Sequence, residues 1–264
     1  MLTLTDVRKT FNKGTVNEKV ALQGINLHLE KGDFVTVIGG NGAGKSTMLN
    51  MIAGVYPLDS GTVVLDGHDI SRLSEHARAQ YLGRVFQDPM RGTAADMQID
   101  ENLALARRRG QRRGLSWGLS KAEREEYREA LATLGLGLET RLSDKVGLLS
   151  GGQRQALTLL MATLKEPELL LLDEHTAALD PKTAAKVLEL TQSIVVGNGL
   201  TTLMVTHNMH DAIRLGNRLI MMNEGRIIYD VRGDEKARLH RADLMAKFEE
   251  AAGGELANDR MLLG

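Results

Sequence analysis

The 264-residue chain carries 33 Lys and Arg against 34 Asp and Glu, a net charge of −1, and no cysteine. At roughly 100–200 residues per domain this predicts one large domain or two small ones, long enough for a conventional core. Disulfides and zinc–thiolate sites are excluded, and the balanced charge speaks against a general nucleic-acid binder, which needs a positive excess to displace counterions.

The opening residues Met1–Lys9 lack a basic stretch followed by an apolar one and do not read as a signal peptide. Phe34–Ile38 predicts a strand, and Thr47–Ala53 a helix with Leu49, Ile52 and Ala53 on one face and Gly54 ending it. Between them, Gly39-Gly40-Asn41-Gly42-Ala43-Gly44-Lys45-Ser46 matches G-x-x-x-x-G-K-[ST] without a gap. Glycines let backbone N–H groups converge on phosphate oxygens, and the helix N-terminus adds favourable partial charge. Lys45 would reach the β- and γ-phosphates, and the Ser46 hydroxyl would ligate Mg²⁺. A plain glycine-rich corner is the alternative, disfavoured by eight fitting positions between a strand and a helix. A dinucleotide fingerprint fails because Thr47 stands where its third glycine belongs. The loop therefore predicts a nucleoside triphosphate.

Thr62–Leu65 followed by Asp66-Gly67 reads as one arm of a hairpin. From about Asp88 to Leu164 the chain is rich in helical periodicity, with a basic run Arg107–Arg113 and a charged amphipathic helix between Ser120 and Leu134. This stretch reads as a helical subdomain inserted into an α/β core. Its basic run reads first as a solvated face, and alternatively as a contact for lipid headgroups or a membrane partner.

Leu169–Leu172 and Thr202–Thr206 predict two buried strands, and Arg218–Met222 with Arg226–Tyr229 a C-terminal hairpin around Asn223-Glu224-Gly225. Short strands alternating with longer helices predict an α/β fold with a largely parallel sheet. The apolar runs Leu157–Leu164 and Leu169–Leu172 fall far short of the roughly 20 residues that span a bilayer. The chain is thus expected to be soluble, with any membrane link through a partner. Asp173 and Glu174, directly after the leucine strand, need a reason to be ionised there, since burying unpaired charge is costly. Mg²⁺ supplies one: Asp173 would hold the metal with Ser46, and Glu174 would orient or deprotonate an attacking water.

Leu149-Ser150-Gly151-Gly152-Gln153-Arg154-Gln155, with Ser150 placed 23 residues before Asp173, completes a pattern that resembles the nucleotide-binding subunits of ATP-binding-cassette (ABC) transporters. By itself the segment is an N-cap serine, two glycines and a helix start. The resemblance runs from about Leu2 to Leu263. It implies a P-loop NTPase core with a mostly parallel sheet, an antiparallel β subdomain and an inserted helical subdomain. Its parts would be 1–87 and 165–232 for the ATPase core, 88–164 for the helical subdomain with the signature, and 233–264 for a C-terminal tail.

It further implies that ATP and Mg²⁺ are bound by Gly39, Gly40, Asn41, Gly42, Ala43, Gly44, Lys45, Ser46 and Thr47. Gln87 would sense Mg²⁺ and join the core to the helical subdomain, and His207 would contact the γ-phosphate. Ser150, Gly151, Gly152 and Gln153 would meet ATP held by a second copy, and Asp180 would cross the dimer interface. Asp180 also suits a cap for the helix begun by Pro181. Phe11 stands where the family usually stacks a tyrosine on adenine, and it keeps the aromatic face.

The sequence departs from the commonest family pattern at Ala156 and Met161, where arginines are frequent, and at His175-Thr176-Ala177-Ala178, where Pro-Thr-Ser-Ala is frequent. With Arg113–Gly118 and Asn258–Leu263, these departures are similar to a branch that works with an integral permease and an extracytoplasmic binding protein, sometimes for aromatic amino acids such as tryptophan. The implied assembly is a homodimer at the cytoplasmic face of the plasma (inner) membrane, attached through permease subunits, with no nucleic acid. Other expectations from the same superfamily are an ATPase for export or lipid extraction and an ATP-gated nucleic-acid or ribosome factor. The latter usually needs long coiled-coil inserts, zinc cysteines or tandem cassettes.

Overall fold

Alternating apolar residues build an antiparallel sheet at the start of the chain. β1 (Leu2–Phe11) pairs with β2 (Lys19–Leu29), Leu2 opposite Leu29 and Phe11 opposite Lys19, and Leu2, Leu4, Val7, Leu22, Ile25 and Leu29 are buried. β3 (Phe34–Gly39) is buried along its whole length, as expected of a strand covered on both faces. It leads through the glycine loop into α1 (Lys45–Ala53), which Gly54 ends in the left-handed conformation with its N–H returned to the Asn50 and Met51 carbonyls. β4 (Ser60–Leu65) pairs with β1 and turns at Asp66-Gly67 into β5 (His68–Asp69), giving the order β2-β1-β4-β5.

The short α2 (Glu75–Arg78) brings in a charged residue that its surroundings bury. The Arg78 guanidinium, 1% exposed, donates to the carbonyls of Met51 at 2.7 Å and Ile52 at 2.9 Å, and to those of Ser71 and Leu73. It thereby satisfies carbonyls at the end of α1 that have no partner within the helix.

The computed structural model describes residues 1–111 and 118–251. They form two compact units: Met1–Arg78 with the chain from Leu200 onward, and Ala79–Gly199. In the second unit β6 (Leu82–Val85) is followed by α3 (Ile99–Arg107), α4 (Lys121–Ala132) and α5 (Gly151–Thr163), and then by β7 (Leu169–Asp173) and α6 (Pro181–Gly197). β6 and β7 pair in parallel. α4 begins with a reciprocal cap, the Ser120 hydroxyl accepting from the Glu123 N–H and the Glu123 carboxylate from the Ser120 N–H. It buries only Tyr127 and Leu131, so most of its charged surface faces water.

The basic run is occupied within this unit where it is described. Arg107 pairs with Glu126 and Arg108 with Glu123, while Arg109 donates to the carbonyls of Ala162 and Lys165. Burial pushes the Arg109 guanidinium below its usual range. Arg112, Arg113, Trp117 and Asn258–Leu263 lie outside the described residues.

The chain returns to the first unit with β8 (Thr202–Val205), α7 (Met209–Arg214), β9 (Arg218–Asn223), β10 (Arg226–Arg232), α8 (Gly233–Ala237) and α9 (Arg241–Ala251). β3 takes β8 and β9 as parallel neighbours, and β10 folds back antiparallel on β9. Leu244 and Phe248 of α9 join Ile38, Met221 and Val231 in one apolar cluster. Lys236 is another buried cation held by carbonyls. Its Nζ donates to the Ile213 carbonyl in the last turn of α7 and to the Leu215 and Gly216 carbonyls just after it, and burial lowers its pKa to about 8.

Candidate functional site

The phosphate loop is held by backbone geometry. Gly44 caps α1 at φ 99°, and a Cβ there would lie 2.6 Å from the Ala21 carbonyl oxygen. Any L side chain would meet both the unfavourable φ and that clash. Gly225 leaves equally little room at the same carbonyl, 2.6 Å, and its Cα lies 3.4 Å from where a Cβ on Gly44 would be. The Gly225 N–H donates to the Ala43 carbonyl at 3.0 Å, and the Gln23 N–H donates to the Gly225 carbonyl at 2.9 Å. The tip of the β9–β10 hairpin thus buttresses the loop from behind, a role its turn sequence alone does not reveal.

α1 opens with no side-chain cap and no acidic residue in its first turn. Its leading N–H groups and the positive end of its dipole therefore meet no carboxylate of their own turn. The buried Lys45 donates to the Gly39 carbonyl at 2.7 Å and the Gly40 carbonyl at 3.2 Å, which keeps the ammonium at the loop. Ser46 is exposed beside it. A glycine cradle, converging N–H groups, a fixed ammonium and a hydroxyl suit a triphosphate with Mg²⁺, an ion bound through few protein donors and substrate phosphates. Among the described residues no cluster of three or more His, Cys, Asp or Glu forms a metal site.

Two other predicted residues belong to this unit. Val205 of β8 lies opposite Val37 of β3, so His207 leaves its strand at the edge where Gly39 leaves the neighbouring one. His207 is exposed. Phe11 ends β1 with its ring edge-on to Tyr56, centroids 5.1 Å apart, and Lys9 Nζ 5.6 Å from its centroid.

The second unit brings together the rest. Val85 lies opposite Leu172, so Gln87 and Glu174, each two residues further on, emerge at the same end of the β6–β7 pair. Gln87 is exposed, and the preceding Phe86 carbonyl accepts from the buried Gln155 side chain at 3.1 Å. Glu174 sits at φ 45°, a left-handed conformation that costs a side-chain-bearing residue about 1–3 kcal/mol. Its carbonyl accepts from the Ala177 N–H at 2.9 Å.

His175 follows, fully buried. The Thr191 hydroxyl donates to the Val187 carbonyl at 2.8 Å, so at 3.0 Å it accepts from His175 Nε2–H. This leaves Nδ1 unprotonated, buried and without a partner, and burial lowers the imidazole pKa to about 4. Neutral His175 anchors the chain just past Glu174, where the resemblance leads one to expect proline.

Ser150 caps α5 as expected: its hydroxyl accepts from the Gln153 N–H at 3.3 Å, and the Gln153 side chain accepts from the Ser150 N–H at 3.2 Å. Gly152 packs directly against Thr183 in the first turn of α6, and Gly151 near Leu179. Asp180 caps α6, accepting from the Thr183 N–H at 3.1 Å, and hydrogen bonding from Thr183 holds its carboxyl below the usual range. The signature and the Asp180 turn are therefore one structure.

Residues 22–177 match the sequence pattern of a family described as ABC transporter. The chain belongs to that family. It is 43% identical over 251 residues to the tyrosine transport ATP-binding protein of Clostridioides difficile, covering 95% of this chain and 100% of that one. It is 33% identical to an aliphatic sulfonates import ATP-binding protein of Agrobacterium fabrum, over 90% of this chain and 85% of that one. Among solved structures, the ABC cassette MJ0796 in a dimeric post-hydrolysis state with ADP and Pi superposes with a TM-score of 0.75 at 30% identity, covering 88% and 98% of the two chains. The ADP form of the cassette MJ1267 gives 0.77 at 27% identity, covering 97% and 99%. The protein is thus an ABC-type ATP-binding subunit with the α/β cassette fold. Gly225, Gln155 and His175 stand in the sequence as parts of a turn, the signature and a departure from the family pattern, but their roles as brace, strand-end donor and anchor do not show there, and nothing marks Arg78.

Proposed function

We propose that this chain is the ATP-hydrolysing subunit of an importer for a small solute, of the amino-acid class, working as a homodimer beneath a permease at the cytoplasmic face of the membrane. The extracytoplasmic binding protein would deliver the solute. The observation that carries the reading is the Gly44–Lys45–Ser46 start of α1, a phosphate cradle braced by Ala21 and Gly225. The import direction and the solute class draw support from the Clostridioides difficile and Agrobacterium fabrum relatives. Among the described residues no helix is long and apolar enough to cross a membrane, which suits a subunit attached through a partner.

On this reading the loop N–H groups and Lys45 bind the triphosphate, and Phe11 stacks the base. Ser46, Gln87 and Asp173 would hold Mg²⁺, which would supply positive charge against the triphosphate. Glu174 accepts a proton from water as the water oxygen bonds to the γ-phosphorus and the bond to ADP breaks. His207 donates to a γ-phosphate oxygen. The exposed Ser150 and Gly151 present the start of α5 to ATP held by a second copy, so each ATP joins two chains. Differential affinity for the joined state is then the source of work.

Replacing Glu174 by Gln tests this. Turnover should fall by about 10²–10⁴-fold, ATP should still bind, and light scattering should show a dimer that forms with ATP and persists. Wild-type turnover in that variant would remove Glu174 as the base, and a monomer at saturating ATP would remove the shared site.

A further inference from the structure

Lys19 opens β2 directly opposite Phe11. Its side chain turns toward the phosphate loop, and Nζ stands 3.5 Å from where a Cβ on Gly42 would lie. The first unit's other notable lysines are occupied: Lys9 by Asp59 and the Pro57 carbonyl, Lys45 by two loop carbonyls, Lys236 by three carbonyls. Among the described residues no carboxylate pairs with Lys19. A cation is thus set by strand register at the rim of a loop built from N–H donors, with its charge uncompensated. Such an arrangement favours an anion between the aromatic ring and the loop.

We propose that Lys19 is a further nucleotide-binding residue that contacts the α-phosphate. The inference rests on the reading of the loop as an ATP site. In that reading the base lies on Phe11 and the β- and γ-phosphates lie in the loop from Gly39 to Ser46. The α-phosphate is the anionic group between them, and Lys19 is opposite the first and beside Gly42 of the second. An ammonium on a flexible stem suits this task, since one charged donor suffices where no bidentate geometry is imposed.

The test is calorimetric titration of the full chain with ATP and with ADP, in chelator to prevent turnover, for wild type, Lys19→Ala, Lys19→Arg and Lys45→Ala. Lys19→Ala should weaken ATP and ADP by the same factor, roughly 5- to 20-fold, because both carry the α-phosphate. Lys19→Arg should recover most of the loss, and the gap between Lys19→Ala and wild type should narrow as salt is raised. Wild-type affinity for both nucleotides in Lys19→Ala, alongside weakened ATP binding in Lys45→Ala, overturns the role of Lys19 and leaves the ATP site standing. A loss confined to ATP overturns the α-phosphate assignment in favour of the γ-phosphate. Failure of the wild type to bind either nucleotide overturns the ATP site and this proposal with it.

Discussion

The two units hold their functional residues by different means. In the first, the phosphate loop is shaped by missing side chains: Gly44 and Gly225 both close on the Ala21 carbonyl, and main-chain hydrogen bonds from Gly225 and Gln23 fix the spacing. In the second, positions are set by added polar side chains: Gln155 on the Phe86 carbonyl, His175 on Thr191, Ser150 on Gln153, Asp180 on Thr183. The lesson is one of opposite vulnerabilities. The first unit is damaged by adding an atom, the second by removing or protonating one.

Gly44→Ala is the sharpest way to break the contrast. One methyl group meets φ 99° and the Ala21 carbonyl at 2.6 Å. The expected cost is about 2–5 kcal/mol of stability, with ATP affinity reduced in whatever fraction folds. Denaturant unfolding and nucleotide titration measure both, and a variant as stable as wild type would show that the loop is not confined by its neighbours.

The second unit should instead show its weakness in acid. The His175 pKa falls to about 4 in the folded chain from an ordinary 6.5. Its contribution is therefore full above pH 6.5 and is lost as pH falls toward 4, because the unfolded chain takes up the proton first. The span corresponds to about 3 kcal/mol. Unfolding free energies measured between pH 7 and 4 should carry this slope in wild type and lack it in His175→Gln, and identical slopes would mean that His175 is accessible to protons. Smallest is Asp180→Ala, which removes the α6 cap and should lower the melting midpoint slightly; thermal melting checks it, and an unchanged midpoint would assign Asp180 no part in holding the turn.

Legibility followed the same divide. The loop from Gly39 to Ser46 could be read because its chemistry demands specific residues at fixed spacing. The caps at Ser150 and Asp180 were legible because a cap acts on the N–H groups of its own first turn. The β9–β10 hairpin was visible in Asn223-Glu224-Gly225, but its service to the loop was not, since Ala43 and Gly225 are far apart in the chain. Arg78, Arg109 and Lys236 look like surface cations in the sequence. Arg78 and Lys236 are buried and Arg109 half-buried because carbonyls left over at loops and helix ends take the place of carboxylates, and no sequence pattern marks where those carbonyls meet. In the basic run the two kinds of partner meet: Arg107 and Arg108 pair with Glu126 and Glu123, and Arg109 donates to carbonyls, all within their own unit.

The buttress behind the loop also sets an order of assembly during synthesis. β3 gains its neighbours β8 and β9, and the loop gains Gly225, only after the whole of Ala79–Gly199 has been made. Pairings this distant in sequence form late, at a loop-closure cost that local contacts avoid. A ribosome-bound chain that ends before β9 carries the complete glycine motif and still lacks the surface that shapes it. On the proposed function, nucleotide binding is acquired only after β9 has been made, and arrested chains of increasing length should gain it abruptly once Gly225 clears the exit tunnel.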